Sequence, residues 1–335
     1  MRLGVVGMLP ADFREITNEH LEAIKALNLT GAAFHAPGDM LAAVTTKECH
    51  KVRDTIVAAD MVLPQFGIGF SECLFDPDRA IRDQVTGKIE RGIEVARDLS
   101  AQSCLIRTGS LNPTGSYAPA KENRTSEARA LLVDTLKRLA AKAEIADVTI
   151  AIETHALTIM GSPEINRDVL QAVGSERMTV VMDFVNHFQN LDQVYDNTLR
   201  LQHIFALMSP ISTVGHIKDI KLSPGLVLHI DEEVPGEGEL DLSLALKLWH
   251  DDHPDGYMLL EHLPNEKYPQ AAENVHRIIA DAGIPLHSCA IIKSGSPNPA
   301  SKFAIQCRKR ALAPTGCTTT RQLTSSLSSI RATAT

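Results

Sequence analysis

Four short apolar runs in the second half of the chain each end in a residue that could bind a cation. They read Thr-Ile-Ala-Ile before Glu153, Thr-Val-Val-Met before Asp183, Ser-Thr-Val-Gly before His216 and Met-Leu-Leu before Glu261. Three carboxylates and one imidazole, without a thiolate, suit a hard divalent cation such as Mn²⁺ or Mg²⁺, with Co²⁺ and Zn²⁺ as alternatives. Side chains alternate along a strand, so the four can share one face if the runs are neighbouring strands. We therefore predict that Glu153, Asp183, His216 and Glu261 bind one metal ion.

A metal ion among carboxylates can promote proton removal from a carbon next to a carbonyl. The cation stabilises the enediolate, one carboxylate removes the proton and a second returns it. Return to the same carbon is epimerisation, and return to the neighbouring carbon is isomerisation. The same intermediate permits a dehydratase or lyase outcome, and the sequence does not choose among these reactions.

Further polar residues near the ends of the apolar runs are candidate substrate ligands. Lys218 is two residues after His216 and so is predicted to lie on the same face of the strand. It could neutralise an oxyanion, a carboxylate or a phosphate, with a structural ion pair as the alternative. His155 is predicted to face inward with the metal ligands. Arg107 and His35 end the fourth and second runs and could contact the substrate. His262 is predicted to face away from the site.

The elements that position these residues follow one repeated unit, in which an apolar run precedes a segment with apolar residues at helical spacing. Eight such units favour a closed (βα)₈ TIM barrel over an open doubly wound sheet, and no Gly-x-Gly-x-x-Gly motif follows the first run. In such barrels the C-terminal strand ends carry the site. The predicted strands are 3–9, 31–35, 62–67, 103–108, 148–154, 178–186, 211–218 and 257–263. The predicted helices are 18–27, 46–60, 78–99, 126–146, 163–173, 191–208, 242–250 and 268–282, and the predicted N-caps include Thr17, Ser126, Ser162 and Asp241.

Charge is distributed unevenly along the 335 residues. Residues 284–335 contain seven Lys and Arg and no acidic residue, whereas residues 1–283 hold 26 basic against 41 acidic residues, a balance of −15. Nucleic acid is therefore an unfavourable partner for the body of the protein, because binding to a phosphate backbone depends on Lys and Arg. We predict a barrel over residues 1–283 and a basic, Ser/Thr-rich, disordered tail over residues 284–335.

The chain contains no apolar stretch of about 18 residues, the length that a membrane helix needs, and no secretory leader is recognisable. We therefore expect a cytoplasmic protein without a membrane partner. The sequence leaves open whether the protein is a homo-oligomer.

Several motifs resemble those of the xylose isomerase-like TIM barrels, the sugar phosphate isomerases and epimerases. They are Ile-Glu153-Thr-His155, Met-Asp183-Phe-Val-Asn186, Gly-His216-Ile-Lys218-Asp219, Pro235-Gly-Glu-Gly-Glu-Leu-Asp241 and Leu-Glu261-His262-Leu-Pro264. The resemblance covers residues 1–283 and is similar in site pattern to ketose 3-epimerases. It implies a small-molecule sugar substrate, a metal held by Glu153, Asp183, His216 and Glu261, and the two glutamates as the acid/base pair. The 236–238 Gly-Glu-Gly segment lacks a phosphate-loop Lys and is interpreted as a turn covering the metal site.

The chain departs from the epimerase pattern at two positions. Asn186 stands where that branch usually has His, with His187 next in line, and Ile159 stands where a second Glu is usual. We include Asn186 and His187 among the candidate substrate ligands. These departures predict that the protein recognises substrate hydroxyl groups differently.

Two other functions remain as alternatives. An apurinic endonuclease-like metal phosphodiesterase shares much of the scaffold, and His229 and Asp231 could extend a metal cluster. Its extra metals need further His ligands from earlier strands, however, where this chain has Gln65 and Arg107. A non-catalytic sugar-binding barrel is the second alternative.

Overall fold

The computed structural model describes residues 1–287, with eight parallel strands that close a barrel. The first strand pairs with both the second and the last, which closes the ring. The barrel strands are β1 (Arg2–Val6), β2 (Gly31–Pro37), β3 (Phe66–Gly69), β4 (Cys104–Arg107), β5 (Ile150–Glu153), β6 (Met178–Met182), β7 (Ser212–Ile217) and β10 (Tyr257–Leu260). The predicted TIM-barrel fold is therefore confirmed. The division at residue 283 stays a prediction, because most of the predicted tail lies outside the described residues.

Helices follow the strands around the barrel. They are α1 (Asn18–Lys25), α2 (Thr46–Ala58), α3 (Arg79–Asp98), α4 (Ser126–Ala146), α5 (Pro163–Val173), α6 (Leu191–Tyr195), α7 (Asn197–Met208), α8 (Leu242–Asp252) and α9 (Tyr268–Asp281). Local chemistry sets their ends, as α5 illustrates. The Ser162 side chain accepts from the Ile165 amide, Pro163 occupies the first turn, and Gly174 ends the helix in the left-handed region.

The alternation of side chains along the strands divides the core into two parts. Outward residues such as Ile150 and Ile152 pack in the large cluster between strands and helices. Inward residues form a smaller cluster inside the barrel, namely Val6, Ala33, Leu105, Ala151, Val181, Val214, Tyr257 and Leu259. The interior below the candidate site is therefore mostly apolar, as is usual for this fold.

Several strand ends differ from the predicted ones, most of all β3, which was predicted at 62–67, and three further local features differ as well. The fourth helix is capped by Thr125, whose side chain accepts from the Ala128 amide, and not by Ser126. The predicted helix 191–208 is broken at Asp196, where the Asn197 side chain donates to the Val194 carbonyl and competes with helical hydrogen bonds. An antiparallel hairpin of β8 (Asp219–Ser223) and β9 (His229–Glu233), which follows β7, was not predicted.

The two ends of the described chain meet beside the barrel. The amino group of Met1 donates to the Pro285 carbonyl at 3.0 Å, and the His287 amide donates to the Met1 carbonyl at 3.0 Å. Ile284 is buried. Among the described helices, none combines the length and the apolar character needed to cross a membrane.

Candidate metal and sugar site

The four predicted metal ligands lie together at the C-terminal ends of their strands. Glu153 is the last residue of β5, His216 lies on β7, and Asp183 and Glu261 directly follow β6 and β10. One ligand atom from each lies within 4.8 Å of the others, and all four side chains are buried. Each lies two residues beyond an apolar residue of the barrel interior. These interior residues are Ala151 before Glu153, Val181 before Asp183, Val214 before His216 and Leu259 before Glu261. Strand alternation therefore turns all four into the mouth of the barrel.

Basic groups lie close to the three carboxylates. The Arg107 Nε donates to Glu153 Oε2 at 2.7 Å. The Lys218 Nζ lies 2.7 Å from Asp183 Oδ2 and 3.2 Å from Glu261 Oε2. The cluster is therefore an ionic network, with Arg107 at the Glu153 end and Lys218 at the other.

His216 turns its Nδ1 atom toward all three carboxylates. Nδ1 lies 2.8 Å from Glu261 Oε2, 3.5 Å from Asp183 Oδ2 and 3.7 Å from Glu153 Oε1. Burial opposes a charge on this imidazole, but Glu261 and Asp183 outweigh burial and raise the pKa of His216 to about 10. Without a metal ion, the ring is therefore a charged imidazolium at neutral pH, with a proton on both nitrogen atoms.

The charges of the network balance in this protonated state. Burial raises the pKa of each carboxyl group, yet the nearby cations more than offset it, so Glu153, Asp183 and Glu261 all have a pKa below its ordinary value. Burial lowers the pKa of Lys218, but Asp183 and Glu261 raise it well above its ordinary value. Three carboxylates thus face three cations: Arg107, Lys218 and protonated His216.

The donor set fits a divalent metal ion. One buried oxygen of each carboxylate has no hydrogen-bond partner, namely Glu153 Oε1, Asp183 Oδ1 and Glu261 Oε1. Buried polar atoms are almost always hydrogen-bonded, so such a concentration of unpartnered atoms needs an explanation. A bound cation would satisfy them together, and its charge would replace the proton on His216. These four residues could therefore hold one metal ion.

Four predicted substrate ligands have a buried nitrogen atom without a hydrogen-bond partner: His35 Nε2, His155 Nε2, Asn186 Nδ2 and His187 Nδ1. Burial lowers the pKa of His35 and of His155, despite the Glu153 charge that acts on both. His155 Nε2 lies 4.0 Å from Glu153 Oε2. The His35 ring occupies the space beside Gly67, where any Cβ atom would overlap it. These neutral groups could hydrogen-bond to hydroxyl groups of a substrate.

Tyr117, which sequence reasoning missed, covers one side of the site. Its ring lies 5.1 Å from the Arg107 guanidinium carbon and 4.8 Å, edge to face, from the His155 ring. The loop that carries it is fixed by local bonds, including Ser110 Oγ to the Ala118 carbonyl at 2.7 Å. A lone aromatic residue in the long polar segment after β4 was the only signal in the sequence.

One histidine differs from its expected position, and a second has both ring nitrogens buried. The Nε2 atom of His187 contacts Thr154 Oγ1 at 3.0 Å, its Nδ1 atom has no hydrogen-bond partner, and burial lowers the pKa of His187 to about 3. His262 has a left-handed backbone with φ of 58°, which ends the strand alternation. Its Nε2 atom therefore lies 3.8 Å from Glu261 Oε2, and the expectation that it faces away is wrong.

The predicted Gly-Glu-Gly turn is organised by the buried carboxylate of Asp219. Asp219 Oδ2 accepts from the Gly236 and Gly238 amides, both at 3.0 Å. Asp219 Oδ1 accepts from the Ile220 and Leu240 amides at 2.9 and 3.2 Å. One side chain therefore fixes both this turn and the start of the β8–β9 hairpin.

The hairpin reaches the edge of the site through Glu232. Its carboxylate lies 3.7 Å from Lys218 Nζ and 3.3 Å from His262 Nδ1. His229 and Asp231 are exposed on the same strand and are not among the four clustered ligands.

Solved structures share this fold at low sequence identity, whereas no curated protein shows significant sequence similarity to the chain. The 3-keto-D-glucoside 4-epimerase YcjR from E. coli, in its apo form, has a TM-score of 0.63 and 15% identity over 84% of this chain and 99% of that chain. A xylose isomerase-like TIM barrel protein from Mycobacterium smegmatis in complex with magnesium has a TM-score of 0.64 and 13% identity over 84% and 96%. A D-psicose 3-epimerase in the presence of D-fructose has a TM-score of 0.60 and 14% identity over 84% and 98%. The family model described as Xylose isomerase-like TIM barrel matches residues 21–278, and the chain therefore belongs to the xylose isomerase-like TIM barrel family.

Proposed function

We propose that the protein is a sugar isomerase or epimerase that depends on one divalent metal ion and acts by proton transfer through an enediolate. The observation that carries the proposal is the buried cluster of Glu153, Asp183, His216 and Glu261, in which one oxygen of each carboxylate has no hydrogen-bond partner. Mn²⁺ or Mg²⁺ is the proposed metal, because the donor set has three carboxylates and one nitrogen. The epimerase neighbours support a sugar as the substrate class.

Glu153 and Glu261 are the proposed proton carriers. Two strands, β6 and β7, separate their strands in the barrel, so the two carboxylates approach the centre from well-separated directions. Such a pair can remove a proton on one side of a sugar carbon and return one on the other. A bound metal ion would stabilise the negative charge that develops on the sugar oxygens.

The surrounding residues have separate tasks in this proposal. Arg107 keeps Glu153 ionised and oriented, because the guanidinium stays charged at every accessible pH. Lys218 holds Asp183 and Glu261 in place. His35, His155 and Asn186 bind sugar hydroxyl groups, and Tyr117 packs against the sugar carbons. His187 stays a candidate substrate ligand through its unpartnered Nδ1 atom, since its Nε2 atom contacts Thr154.

The test is metal analysis of the purified protein followed by solvent deuterium incorporation into candidate ketoses, inososes and hydroxypyruvate-type acids. Glu153→Gln and Glu261→Gln keep an oxygen donor but remove the base, so deuterium incorporation should fall by about 10²-fold to 10⁴-fold with only partial loss of metal. Asp183→Asn should act through the metal, so excess metal should restore part of its activity. Glu232→Gln removes a carboxylate at the edge of the site and serves as the matched control, with near wild-type rates.

The same measurements separate the alternatives. Both glutamate variants exchanging deuterium at the wild-type rate while metal-loaded would contradict the two-glutamate mechanism. Product formation without exchange would indicate an internal hydride shift. Tight sugar binding without exchange or conversion would support a sugar-binding barrel. Cleavage of abasic DNA would support an endonuclease, which the exposed positions of His229 and Asp231 do not favour.

A further inference from the structure

A single amide side chain lies inside the otherwise apolar part of the barrel below the metal site. Gln65 comes directly before β3 and is fully buried. It lies two residues before Gly67, the same step that separates Ala33 from His35 on the neighbouring strand. The interior cluster that the other strands contribute is apolar and includes Val6, Leu105, Ala151, Val181, Val214 and Leu259. Gln65 is therefore an exception that needs a reason.

The reason is its contact with His216. Gln65 Oε1 lies 3.0 Å from His216 Nε2, and both side chains have no exposed surface. The other ring nitrogen, Nδ1, faces Glu153, Asp183 and Glu261. The imidazole thus lies between the carboxylates above and one amide oxygen below.

We propose that Gln65 is a positioning residue. Its Oε1 atom accepts a hydrogen bond from the Nε2–H group of His216 and thereby presents Nδ1 to the divalent metal ion. A neutral imidazole that binds a metal through Nδ1 must keep its remaining proton on Nε2, and that buried N–H needs an acceptor. Gln65 Oε1 is the acceptor that the described part of the chain provides. This inference rests on the metal site of the proposed function, and it concerns which nitrogen atom binds the metal.

Gln65 buries part of its amide group without a hydrogen bond, and this energetic cost supports a specific role. Its own Nε2 atom has no hydrogen-bond partner although it is buried. An apolar side chain of similar shape would fill the same space without an unpartnered amide group. The position therefore gives up stability to provide one acceptor oxygen below His216.

Three variants of the full chain test the proposal. Gln65→Met keeps the approximate shape and removes the acceptor, whereas Gln65→Glu keeps an acceptor. Leu105→Met is the matched control, a volume-conserving change of an interior residue on the neighbouring strand β4. Mn²⁺ affinity is measured by calorimetry, thermal unfolding of the metal-free proteins reports stability, and ¹⁵N NMR of the Mg²⁺-loaded protein shows which ring nitrogen of His216 carries the proton.

Loss of an outer hydrogen bond to a metal-binding histidine weakens metal affinity by about 10-fold to 100-fold, so we expect that loss for Gln65→Met. Gln65→Glu should bind Mn²⁺ at most about threefold more weakly than wild type, because an acceptor remains. Leu105→Met should match wild type. In the Mg²⁺-loaded wild-type protein, Nε2 should carry the proton.

Equal Mn²⁺ affinity of wild type and Gln65→Met would overturn the inference, as would a proton on Nδ1 of Mg²⁺-loaded His216. Weak binding by Gln65→Glu equal to that of Gln65→Met would also overturn it, because a packing defect would then explain both. If Gln65→Met does not fold, the wild-type NMR measurement decides. Wild-type protein that binds Mn²⁺ but converts no sugar contradicts only the proposed function, and wild-type protein that binds no divalent ion contradicts both.

Discussion

Metal binding to this site should depend steeply on pH. Glu261 and Asp183 raise the pKa of His216 to about 10 against the effect of burial, so the metal-free ring is protonated at neutral pH. Nδ1 must lose that proton before it can bind a metal ion. Each pH unit below 10 therefore costs a factor of about ten in affinity. Between pH 6.5 and 8.5 the affinity should rise about 100-fold, equivalent to about 2.7 kcal/mol.

Calorimetric titration with Mn²⁺ measures both parts of this prediction. The dissociation constant is determined at several pH values between 6.5 and 8.5. Titration in two buffers of different ionisation enthalpy then counts the protons released, for which we expect about one per metal ion. His262→Gln is the control, since it removes a half-exposed histidine 3.8 Å from Glu261 without removing a ligand. The Mn²⁺ affinity of the control should rise with pH as steeply as that of the wild-type protein.

An affinity that stays constant across this range, without proton release, would refute the reasoning. It would mean that burial outweighs the three carboxylates and that His216 is already neutral in the metal-free protein. A slope that disappears in the His262→Gln variant would instead assign the released proton to the exposed histidine.

Three further outcomes are expected. Because the pKa of His216 is raised, its contribution to the stability of the metal-free protein is complete below about pH 6.5 and is lost as pH rises through 10, so urea midpoints should fall over that range. Asp219→Asn should destabilise the protein by about 3 kcal/mol in urea unfolding, because its carboxylate accepts four backbone hydrogen bonds. A chain that ends after His287 should keep its thermal midpoint, whereas one that ends after Gly283 should lose about 1–3 kcal/mol, because Ile284 leaves the core.

The four clustered ligands could be predicted because each depends only on local alternation. On β5, for example, Ile150 and Ile152 face the helices, so Ala151 and Glu153 must face the interior. The closed barrel then brings strand ends together without any knowledge of loops. Only the parity of each strand decides which side chains face inward, so errors of a few residues in strand length do not change the placement.

The contacts that the sequence did not reveal depend on backbone changes or on residues far apart in the chain. His262 lies near the site because a single left-handed residue ends the alternation after Glu261. Gln65 lies 151 positions from its partner His216. Tyr117 is positioned by the hydrogen bonds of a long loop, which no period in the sequence describes. Pairwise geometry of this kind follows only from the folded chain.

The two glutamates, which are the proposed proton carriers, have different partners. Glu153 is bonded to Arg107, whose charge does not change with pH or metal binding. Glu261 lies closest to His216, which must lose its proton when a metal ion binds, and next to Lys218. A bound metal ion would therefore put its own charge in place of the imidazolium charge beside Glu261, while the Arg107 charge beside Glu153 would stay. Their basicities are thus set by different groups, which is the arrangement that paired carboxyl groups need in order to act as acid and base at one pH.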